Sequence, residues 1–427
     1  MIIEVISTGT ELMRGNSIDT NFSYTARSIL SLGIEVKYHS TCGDELSDII
    51  ESIKTACRRA NIVILTGGLG PTADDLTRNA AAEAFDVPLI FNKKEWLRLK
   101  ERIRRYRKNY GKIKIIDSLK RQAFFPQSTS IIGNSVGAAA GFYMKRNNAY
   151  FFALPGVPKE MEVMLNKTVI PIIKTLIRNS PLTADHLPLI EWYRIFGIPE
   201  AIVEDMIKPF FIRNTQYSYG LTVKNETVTI SVKVRGDGNI SAKTLISRAN
   251  NYIRKTFGYN LLGDGSSTLA GVTANILMDK RITLSIAESC TGGLIAHKLT
   301  NVHGISKSLV EAIVCYSNES KIARLGVPHR LISKYGAVSK EVAVAMAKGV
   351  AQLSGSDIGL AATGIAGPTG SSKKKPIGLV YMCLWDNRRN REFSQKFIFS
   401  GGREHIKERS ANRAINILRM YLIKGKI

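Results

Sequence analysis

"NIVILTGGLGPTADDLT" (61–77) joins an apolar run, typical of a buried strand, to a glycine-rich loop that carries two adjacent aspartates. The segments before it alternate in type: "IIEVIST" is a short β-branched run, "DTNFSYTARSILSLG" is helix-like, "IEVKYHSTCG" is strand-like, and "DELSDIIESIKTACRRA" is helical with Asp44 as a plausible cap. This alternation predicts an α/β domain with a parallel sheet and right-handed crossovers. Because ligands bind at the carboxyl ends of such strands, we expect 7–15 and 66–77 to share one mouth of the sheet.

Length and composition limit the class of protein. With 427 residues, of which 44% are hydrophobic, the chain is too long for one core, and two large domains with a small third one are expected. The sequence contains no apolar run of about 18 residues and no signal peptide at its start, so we expect a cytoplasmic protein with no membrane partner. The five cysteines are scattered without C-x-x-C spacing, which argues against a disulfide framework or a zinc site.

The formal net charge of +25 is concentrated in "KKEWLRLKERIRRYRKNYGKIK" (93–114), which has eleven Lys or Arg residues against Glu95 and Glu101. The apolar residues of this stretch fall roughly at helical spacing, which predicts an amphipathic helix with a solvated basic face. The alternative is a nucleic-acid-binding patch.

The second half of the chain begins with a different pattern of predicted strands and helices. From about Pro181, "TVTISVKVRGDG" alternates as an antiparallel strand and turn, and "SAKTLISRANNYIRKTFG" is helical, so this part predicts a small α+β module. The loop "GDGSSTLAG" (263–271) leads into another α/β unit. We therefore expect three domains, at 1–172, 173–260 and 264–427.

The stretch "AESCTGGLIAHKL" (287–299) places Ser289, Cys290 and Thr291 between the strand-like "RITLSIA" and a helical pattern. At a strand-to-helix turn, backbone N–H groups and the helix dipole would stabilise an alkoxide or an oxyanion at Ser289. The alternative is that Ser289 or Thr291 only caps the helix.

Two polar residues follow in "VCYSNESKIARLGV" (314–327), where Tyr316 ends a strand and Lys321 lies in the first turn of a helix. The helix dipole and partial burial would both lower the pKa of Lys321, so it could act as a base toward a serine hydroxyl. Tyr316 could relay a proton. The alternative for Lys321 is an ordinary surface lysine.

Two further segments could hold an anion. The glycine-rich loop in "LAATGIAGPTGSSKKKPIG" (360–378) would let backbone N–H groups approach an anion, with charge added by 373–375, unless it is only a wide turn. In "FSGGREHIKERSANRAI" (399–415), Arg403 and Arg409 would suit a phosphate or carboxylate, unless both face solvent.

The whole chain resembles the competence/damage-inducible protein A family. "AESCTGG", "YSNESK", "GAVS", "ATGIAGPTG" and "KPIG" are close to the signature of its C-terminal domain, the nicotinamide-mononucleotide amidohydrolase family. The resemblance implies hydrolysis of nicotinamide mononucleotide to nicotinate mononucleotide and ammonia without a cofactor, with Ser289 as nucleophile, Lys321 as general base and Tyr316 assisting. It also implies a homodimer, and a nucleotide pocket lined by Thr291, Gly292, Gly293, Thr363, Gly364, Gly367 and Arg403.

The first domain carries a second set of candidates. Asp74 and Asp75 are close enough to hold a divalent cation such as Mg²⁺, unless they cap the next helix. The other predicted oxygen donors are Glu11, Asp19 and Asp44; the predicted substrate-binding residues, with glycines that admit a pyrophosphate, are Gly67, Gly68, Gly70, Thr72 and Asn21.

"GTELMRGNSIDTN", "TGGLGPTADDLT" and "LPGVPKEM" (154–161) resemble molybdopterin-binding domains, which implies a three-layer α/β/α fold. The resemblance also implies that this domain is a metal-assisted pyrophosphatase, which acts on ADP-ribose in members of the family. The family's usual G-T-A-P-G loop is "GAAAG" (137–141) here, without the hydroxyl and the rigid proline. The middle module resembles a KH-like domain but has no G-x-x-G loop, so RNA binding does not follow.

These features predict a bifunctional pyridine-nucleotide salvage enzyme. Two alternatives stay open: a nucleic-acid-associated factor, favoured by the net charge and the basic stretch, and a pterin-binding protein without hydrolysis in its first half. Ammonia release from nicotinamide mononucleotide would favour the enzyme, and strong salt-dependent retention on DNA would favour the nucleic-acid factor.

Overall fold

The computed structural model describes residues 1–110, 117–146, 148–179, 188–236 and 240–425. The end of the predicted basic stretch (111–114) and the predicted turn at 237–239 lie outside the described residues. The chain divides into two compact units, Met1–Ile190 with Val234–Leu245, and Glu191–Lys233 with Ile246–Ile427.

The first unit is a mixed sheet with helices on both faces. Its strands are β1 (Ile3–Thr8), β2 (Tyr38–Cys42), β3 (Ile62–Thr66), β4 (Leu89–Phe91), β5 (Phe124–Pro126), β6 (Ser130–Ile132), β7 (Gly141–Arg146) and β8 (Ala149–Leu154). The main sheet has the order β2-β1-β3-β8-β7-β6. The first four of these strands run parallel, as the alternation predicts, whereas β7 and β6 add an antiparallel edge.

The helices of this unit bury apolar side chains on the two faces of that sheet. They are α1 (Thr10–Met13), α2 (Thr20–Leu30), α3 (Leu46–Arg59), α4 (Thr77–Ala84), α5 (Lys93–Tyr110), α6 (Asp117–Arg121), α7 (Pro158–Met164) and α8 (Ile170–Arg178). One core packs α3 and α4 against the sheet, and the other packs α2, α7 and α8 against the opposite face. The fold is therefore the three-layer α/β/α arrangement expected. The predicted cap of α3 is wrong: the helix begins after Glu45, because the Asp44 carboxylate accepts a hydrogen bond from Thr10 N–H instead.

The small α+β module has four strands and two helices. The strands β9 (Leu189–Phe196), β10 (Tyr217–Lys224), β11 (Thr227–Val234) and β12 (Leu261–Asp264) form a sheet of order β10-β11-β9-β12. The helices are α9 (Glu200–Arg213) and α10 (Ala242–Phe257). Along β11 the side chains at alternate positions are buried, which is the pattern that its sequence predicts.

The C-terminal domain is a second α/β sandwich. Its sheet has the order β14-β13-β15-β16-β17, from β13 (Leu284–Glu288), β14 (Leu309–Val314), β15 (Ile358–Gly364), β16 (Leu379–Asp386) and β17 (Arg391–Ile398). The helices are α11 (Leu269–Asp279), α12 (Leu294–Thr300), α13 (Asn318–Leu325), α14 (His329–Tyr335), α15 (Lys340–Ser354) and α16 (Arg403–Lys424). The strands β14, β13 and β15 are parallel, so their carboxyl ends meet at one edge.

A helix that crosses a membrane must be both long and apolar. Within the ranges that the structure describes, no helix is long and apolar enough to do so.

Candidate active site

Ser289 lies in the turn between β13 and α12, as the sequence predicts. Its N–H donates to the carbonyl of Ala362 on the neighbouring strand (3.0 Å), which fixes the turn to the sheet. Gly292 and Gly293 follow with φ of 60° and 92°, a left-handed region in which a side chain is strained. Ser289 is nearly buried, and none of the described residues forms a hydrogen bond with its hydroxyl.

The helix after this turn is capped by Glu288, a residue that the sequence reasoning missed. The buried Glu288 carboxylate accepts hydrogen bonds from the N–H groups of Gly293 (2.9 Å), Ile295 (3.2 Å) and Ala296 (2.9 Å). Capping by Ser289 or Thr291 is therefore wrong, because α12 begins after Gly293 and has no side-chain cap from the turn itself. Because Glu288 occupies these N–H groups of α12, only the N–H groups of the turn itself are left for an oxyanion.

Two backbone N–H groups and one hydroxyl of this turn do not bond to Glu288. In the described part of the chain, no carbonyl accepts a hydrogen bond from the N–H of Cys290 or Thr291. The Thr291 hydroxyl is buried and has no partner among these residues. Burial raises the pKa of the Cys290 thiol to about 12, so a thiolate nucleophile is disfavoured at this position. Of the three neighbours, Cys290 is therefore the one that its surroundings disfavour as a nucleophile.

Lys321 is buried at the carboxyl edge of the same sheet, and the interpretation as a surface lysine is wrong. It lies in α13, whose N-cap Ser317 accepts from Ser320 N–H, and its side chain is only about 1% exposed. The Nζ donates to the carbonyls of Cys315 (2.9 Å) and Tyr316 (3.0 Å), with a longer contact to that of Ser317 (3.5 Å). Burial lowers the pKa of Lys321, in the expected direction.

Arg403 connects three of the predicted motifs. One guanidinium nitrogen donates to the carbonyl of Gly367 (2.6 Å), and the other donates to the hydroxyl of Tyr316 (2.9 Å), which is 62% exposed. Arg403 therefore holds the glycine-rich loop beside the tyrosine, although these residues are far apart in the sequence. Arg409 lies elsewhere and binds the carboxylate of Glu226, at 3.3 Å.

The glycine-rich loop itself is braced by the protein. The buried Thr363 hydroxyl donates to the carbonyl of Ala337 in "GAVS" (2.9 Å). A Cβ added at Gly364 would lie 2.6 Å from the Val380 side chain, so close packing against the neighbouring strand requires this glycine. Lys375 donates to a backbone carbonyl at 2.6 Å, so one of the three loop lysines is tied to the protein.

Lys407 is a second residue that the sequence reasoning did not single out. Its Nζ lies 3.4 Å from the position that a Cβ on Gly292 would take, so α16 places a cation beside the Ser289 turn. Arg403 and Lys407 are four residues apart and lie on one helix face. This spacing of four residues is the feature of the sequence from which Lys407 could have been predicted to accompany Arg403. The first two turns of α16 thus carry two cations toward the candidate site.

In the first domain, Asp75 braces its own loop. Its carboxylate oxygens accept from the N–H groups of Gly70 (2.7 Å) and Thr72 (2.8 Å), and from the Thr72 hydroxyl. Asp74, beside it, is exposed. The alternative that these aspartates cap the next helix is wrong, because α4 has Leu76 as N-cap and no side-chain cap bond.

The glycines of this loop are required by close packing as well. A Cβ added at Gly67 would lie 2.5 Å from the Thr8 carbonyl, and one at Gly68 would overlap the Thr77 hydroxyl. The backbone of the loop therefore lies directly against β1 and α4. A cavity of about 360 Å³ opens beside it, with Gly70, Thr72 and Asp75 in its wall.

A separate cavity of about 220 Å³ lies at the ends of β1 and β3, lined in part by Glu11, Asp19 and Asn21. Asn21 donates to the Gly156 carbonyl (2.8 Å), which ties "LPGVPKEM" to this mouth. His39, another residue missed from the sequence, lies 3.2 Å from the Asp19 carboxylate through its Nε2.

The five predicted oxygen donors do not form one cluster: Glu11 and Asp19 line the second cavity, whereas Asp74 and Asp75 lie in the glycine-rich loop. Asp44 accepts from Thr10 N–H (2.8 Å), Asp75 is occupied by its loop, and Glu11 lines the second cavity. Among the described residues no group of three or more His, Cys, Asp or Glu side chains could hold a metal ion. The side chains as placed therefore do not fit a preformed metal site, and no chemical step is derived through one.

The "GAAAG" loop is held without its missing threonine and proline. The Asn134 side chain accepts from Gly137 N–H and donates to the Ala139 carbonyl (2.9 Å). Arg98 of the basic helix donates to the carbonyls of Asn134 (3.0 Å) and Ala138 (2.7 Å). The prediction of a purely solvated basic face is thus wrong at Arg98, since this side chain supports the loop.

Comparison with known proteins agrees with this layout of an α/β domain, a small α+β module and a second α/β domain. Family models match the probable molybdopterin binding domain at residues 4–175, the damage-inducible protein CinA KH domain at 191–263, and the CinA C-terminal domain at 266–422.

Relatives that match over nearly the whole chain belong to the same family. A competence-damage inducible protein of Clostridium botulinum (strain 657 / Type Ba4) is 37% identical over 422 residues, which is 99% of this chain and 100% of the relative. One from Clostridium tetani is 37% identical over 423 residues, with the same shares covered. The crystal structure of competence/damage inducible protein CihA from Agrobacterium tumefaciens is 34% identical, covers 36% of this chain and 94% of its own, and has a TM-score of 0.35. The chain belongs to the competence-damage inducible (CinA) protein family.

Proposed function

We propose that the C-terminal domain hydrolyses the carboxamide of nicotinamide mononucleotide to nicotinate mononucleotide and ammonia, with Ser289 as the nucleophile. The observation that carries this proposal is the guanidinium of Arg403, which bonds both the Tyr316 hydroxyl and the Gly367 carbonyl. One turn later, Lys407 lies beside Gly292 in the nucleophile's turn. The four predicted motifs thereby meet in one place.

Lys321 is the proposed general base. Three carbonyls surround the Nζ, those of Cys315 and Tyr316 at 2.9 and 3.0 Å and that of Ser317 at 3.5 Å; we propose a neutral amine that donates its two N–H groups to the two nearer carbonyls. This leaves the lone pair of the nitrogen to accept a proton. Burial favours the same neutral form, because it disfavours the ammonium. No hydrogen bond joins Lys321 to Ser289 among the described residues, so proton transfer requires a bridging water or a rotation of the serine side chain.

The proposed reaction has two balanced steps. In the first, the oxygen of Ser289 bonds to the carboxamide carbon and its proton passes to Lys321; the C–N bond then breaks, and ammonia leaves with this proton, passed on from Lys321 directly or through Tyr316, which Lys321 reprotonates. Tyr316 can donate this proton because Arg403 uses only its oxygen lone pair. In the second step, water hydrolyses the ester and Ser289 regains its proton. The N–H groups of Cys290 and Thr291, which donate to no carbonyl of the described residues, are the donors proposed for the oxyanion.

The substrate's phosphate is proposed to bind the two cations on α16. Arg403 and Lys407 lie on the same face of the helix; Lys407 lies beside Gly292 of the Ser289 turn, and Arg403 contacts Gly367 and Tyr316. A phosphate at this position would leave the nicotinamide end directed toward Ser289.

Ammonia release by the Ser289→Ala protein tests this proposal. We expect the rate to fall roughly 10⁴-fold or more, because the nucleophile is lost. The melting temperature should be unchanged, since the Ser289 hydroxyl forms no hydrogen bond with the described residues. Ser333→Ala, at an exposed serine of α14, is the matched control and should keep full activity. Normal turnover in the Ser289→Ala protein would show that the nucleophile is another group.

A second activity, hydrolysis of ADP-ribose, is proposed for the first domain. It is supported by the cavity at the ends of β1 and β3, whose lining offers the carboxylates of Glu11 and Asp19 and the amide of Asn21 to a polar ligand. Mg²⁺ dependence is part of this proposal: since the described side chains form no preformed metal site, the cation would arrive with the pyrophosphate and offset its charge. Formation of AMP from ADP-ribose should require Mg²⁺, fall in Glu11→Gln and persist in Ser289→Ala. Binding of a pterin without any AMP formation would favour the non-catalytic alternative.

The remaining expectations are a homodimer in the cytoplasm and weak or no binding of nucleic acid. The role of Arg98 in bracing the "GAAAG" loop gives part of the basic helix a function inside the protein. Retention on DNA that disappears between low and moderate salt would instead support the nucleic-acid-associated alternative.

A further inference from the structure

A cavity of about 480 Å³ lies within the second compact unit, between the small α+β module and the C-terminal domain. Its charged lining consists of three cations, Arg194, Lys224 and Lys298, and one carboxylate, Glu408. The excess of positive charge in a concave site favours an anionic ligand. The volume is within the range of small-molecule pockets.

Several donors in this cavity are available to a ligand. The Nε of Arg194 is buried and has no hydrogen-bond partner among the described residues. The cavity wall also includes the start of α11, where Thr268 caps the helix by accepting from Gly271 N–H (3.0 Å). This eleven-residue helix directs the positive end of its dipole at the cavity. A buried guanidinium donor and a helix N-terminus are both suited to phosphate oxygens.

The cavity is connected to the candidate active site by two helices. Lys298 lies in the last turn of α12, which begins directly after the Ser289 turn. Glu408 lies in α16, five residues after Arg403, or about 7.5 Å along the helix axis. The Nζ of Lys298 and the Oε1 of Glu408 are joined at 2.5 Å. This ion pair therefore links the helix that follows the nucleophile to the helix that carries Arg403.

We propose that this cavity binds a small phosphate-bearing anion, which competes with Glu408 for Lys298 and thereby shifts α12 and α16 at the candidate active site. An anion that takes Lys298 releases Glu408, so the two helices lose this ion pair and are then held together by their apolar packing. Binding does not depend on the proposed amidase function; only the effect of the ligand on ammonia release rests on it.

Calorimetric titration of the full-length protein with inorganic pyrophosphate tests the site. Arg194→Ala and Lys224→Ala should each weaken binding roughly tenfold, because each removes one charged partner of the anion. Lys224 is exposed, so its substitution leaves the fold intact, and Lys208→Ala removes a similar exposed lysine of the same module outside the cavity. The Lys208→Ala protein should bind like the parent.

Hydrogen exchange of the parent protein tests the connection to the active site. Pyrophosphate should change the protection of 294–300 and 403–412, and this change should be lost in Lys224→Ala. The proposal is overturned if both cavity variants bind like the parent, or if only Arg403→Ala loses binding, since pyrophosphate would then occupy the candidate active site. Binding without any exchange change in α12 and α16 would refute the connection between the two sites. Because neither measurement uses ammonia release, a protein without amidase activity would still answer both questions.

Discussion

Substitution of Glu288 by glutamine should loosen the start of α12. In the native chain the two carboxylate oxygens accept from three helix N–H groups, those of Gly293 and Ile295 on one oxygen and that of Ala296 on the other. A glutamine has one acceptor oxygen. If this oxygen keeps the first pair, the amide NH₂ faces the N–H of Ala296, and two buried donors then lack an acceptor.

The expected loss of stability on substitution of Glu288 follows from these hydrogen bonds. A hydrogen bond to a charged group contributes about 1.5–3 kcal/mol. The interaction of a buried carboxylate with the helix dipole adds up to about 2 kcal/mol. We therefore expect Glu288→Gln to destabilise this turn by about 3 kcal/mol, which corresponds to a change of about a hundredfold in its opening equilibrium.

The assay must be local, because unfolding of a chain with several domains is not a single two-state transition. Native-state hydrogen exchange followed by mass spectrometry on 294–300 measures opening of α12 directly. Glu319→Gln is the matched control: it makes the same change in the first turn of α13, at a fully exposed side chain. Less than about a fivefold increase in exchange for Glu288→Gln would refute the reasoning that this carboxylate caps the helix.

Three further predictions concern other parts of the chain. The kcat/KM for ammonia release should rise with pH and level off below the ordinary lysine pKa of about 10.4, because burial lowers the pKa of Lys321 and only its neutral form accepts a proton; a flat profile would contradict this role. Arg403→Lys should lower kcat/KM roughly tenfold, because lysine cannot bond both partners of the guanidinium, and steady-state assays of this variant measure the loss. Gly137→Ala should lower the melting temperature, because the added Cβ overlaps the Glu160 carboxylate; Gly133→Ala, with open space around it, should not. Equal melting temperatures for the two alanine variants would show that the loop yields easily.

The features that were predictable from the sequence are local. The strands β1 and β3 follow from a short β-branched run and an apolar run, β2 follows from a strand-like segment between two helical ones, and the turn at Ser289 follows from a strand-like run, two glycines and a helical pattern within about 15 residues. The lowered pKa of Lys321 was also foreseen, because the start of its helix can be located from nearby residues.

The wrong expectations concern the partners of polar side chains. Asp74 and Asp75 were predicted as a possible metal pair, with Asp44 as a further donor; in the structure the carboxylates of Asp44 and Asp75 accept hydrogen bonds from backbone N–H groups. In the sequence, an aspartate that binds a cation cannot be told from one that hydrogen-bonds to its own loop, because the residue type is the same and the neighbouring residues are similar. The difference depends on which donors lie within about 3 Å in the folded chain.

The sequence by itself determined the order of strands and helices, the position of the turn at Ser289 and the family, since each depends on residues close together along the chain. Only the tertiary structure decided that Arg403 binds Tyr316, 87 residues away, that Lys298 pairs with Glu408, 110 residues away, and that Lys407 lies beside Gly292. The physical reason is the short range of a hydrogen bond, which makes the partner of each polar group a consequence of how the apolar faces of sheet and helices pack.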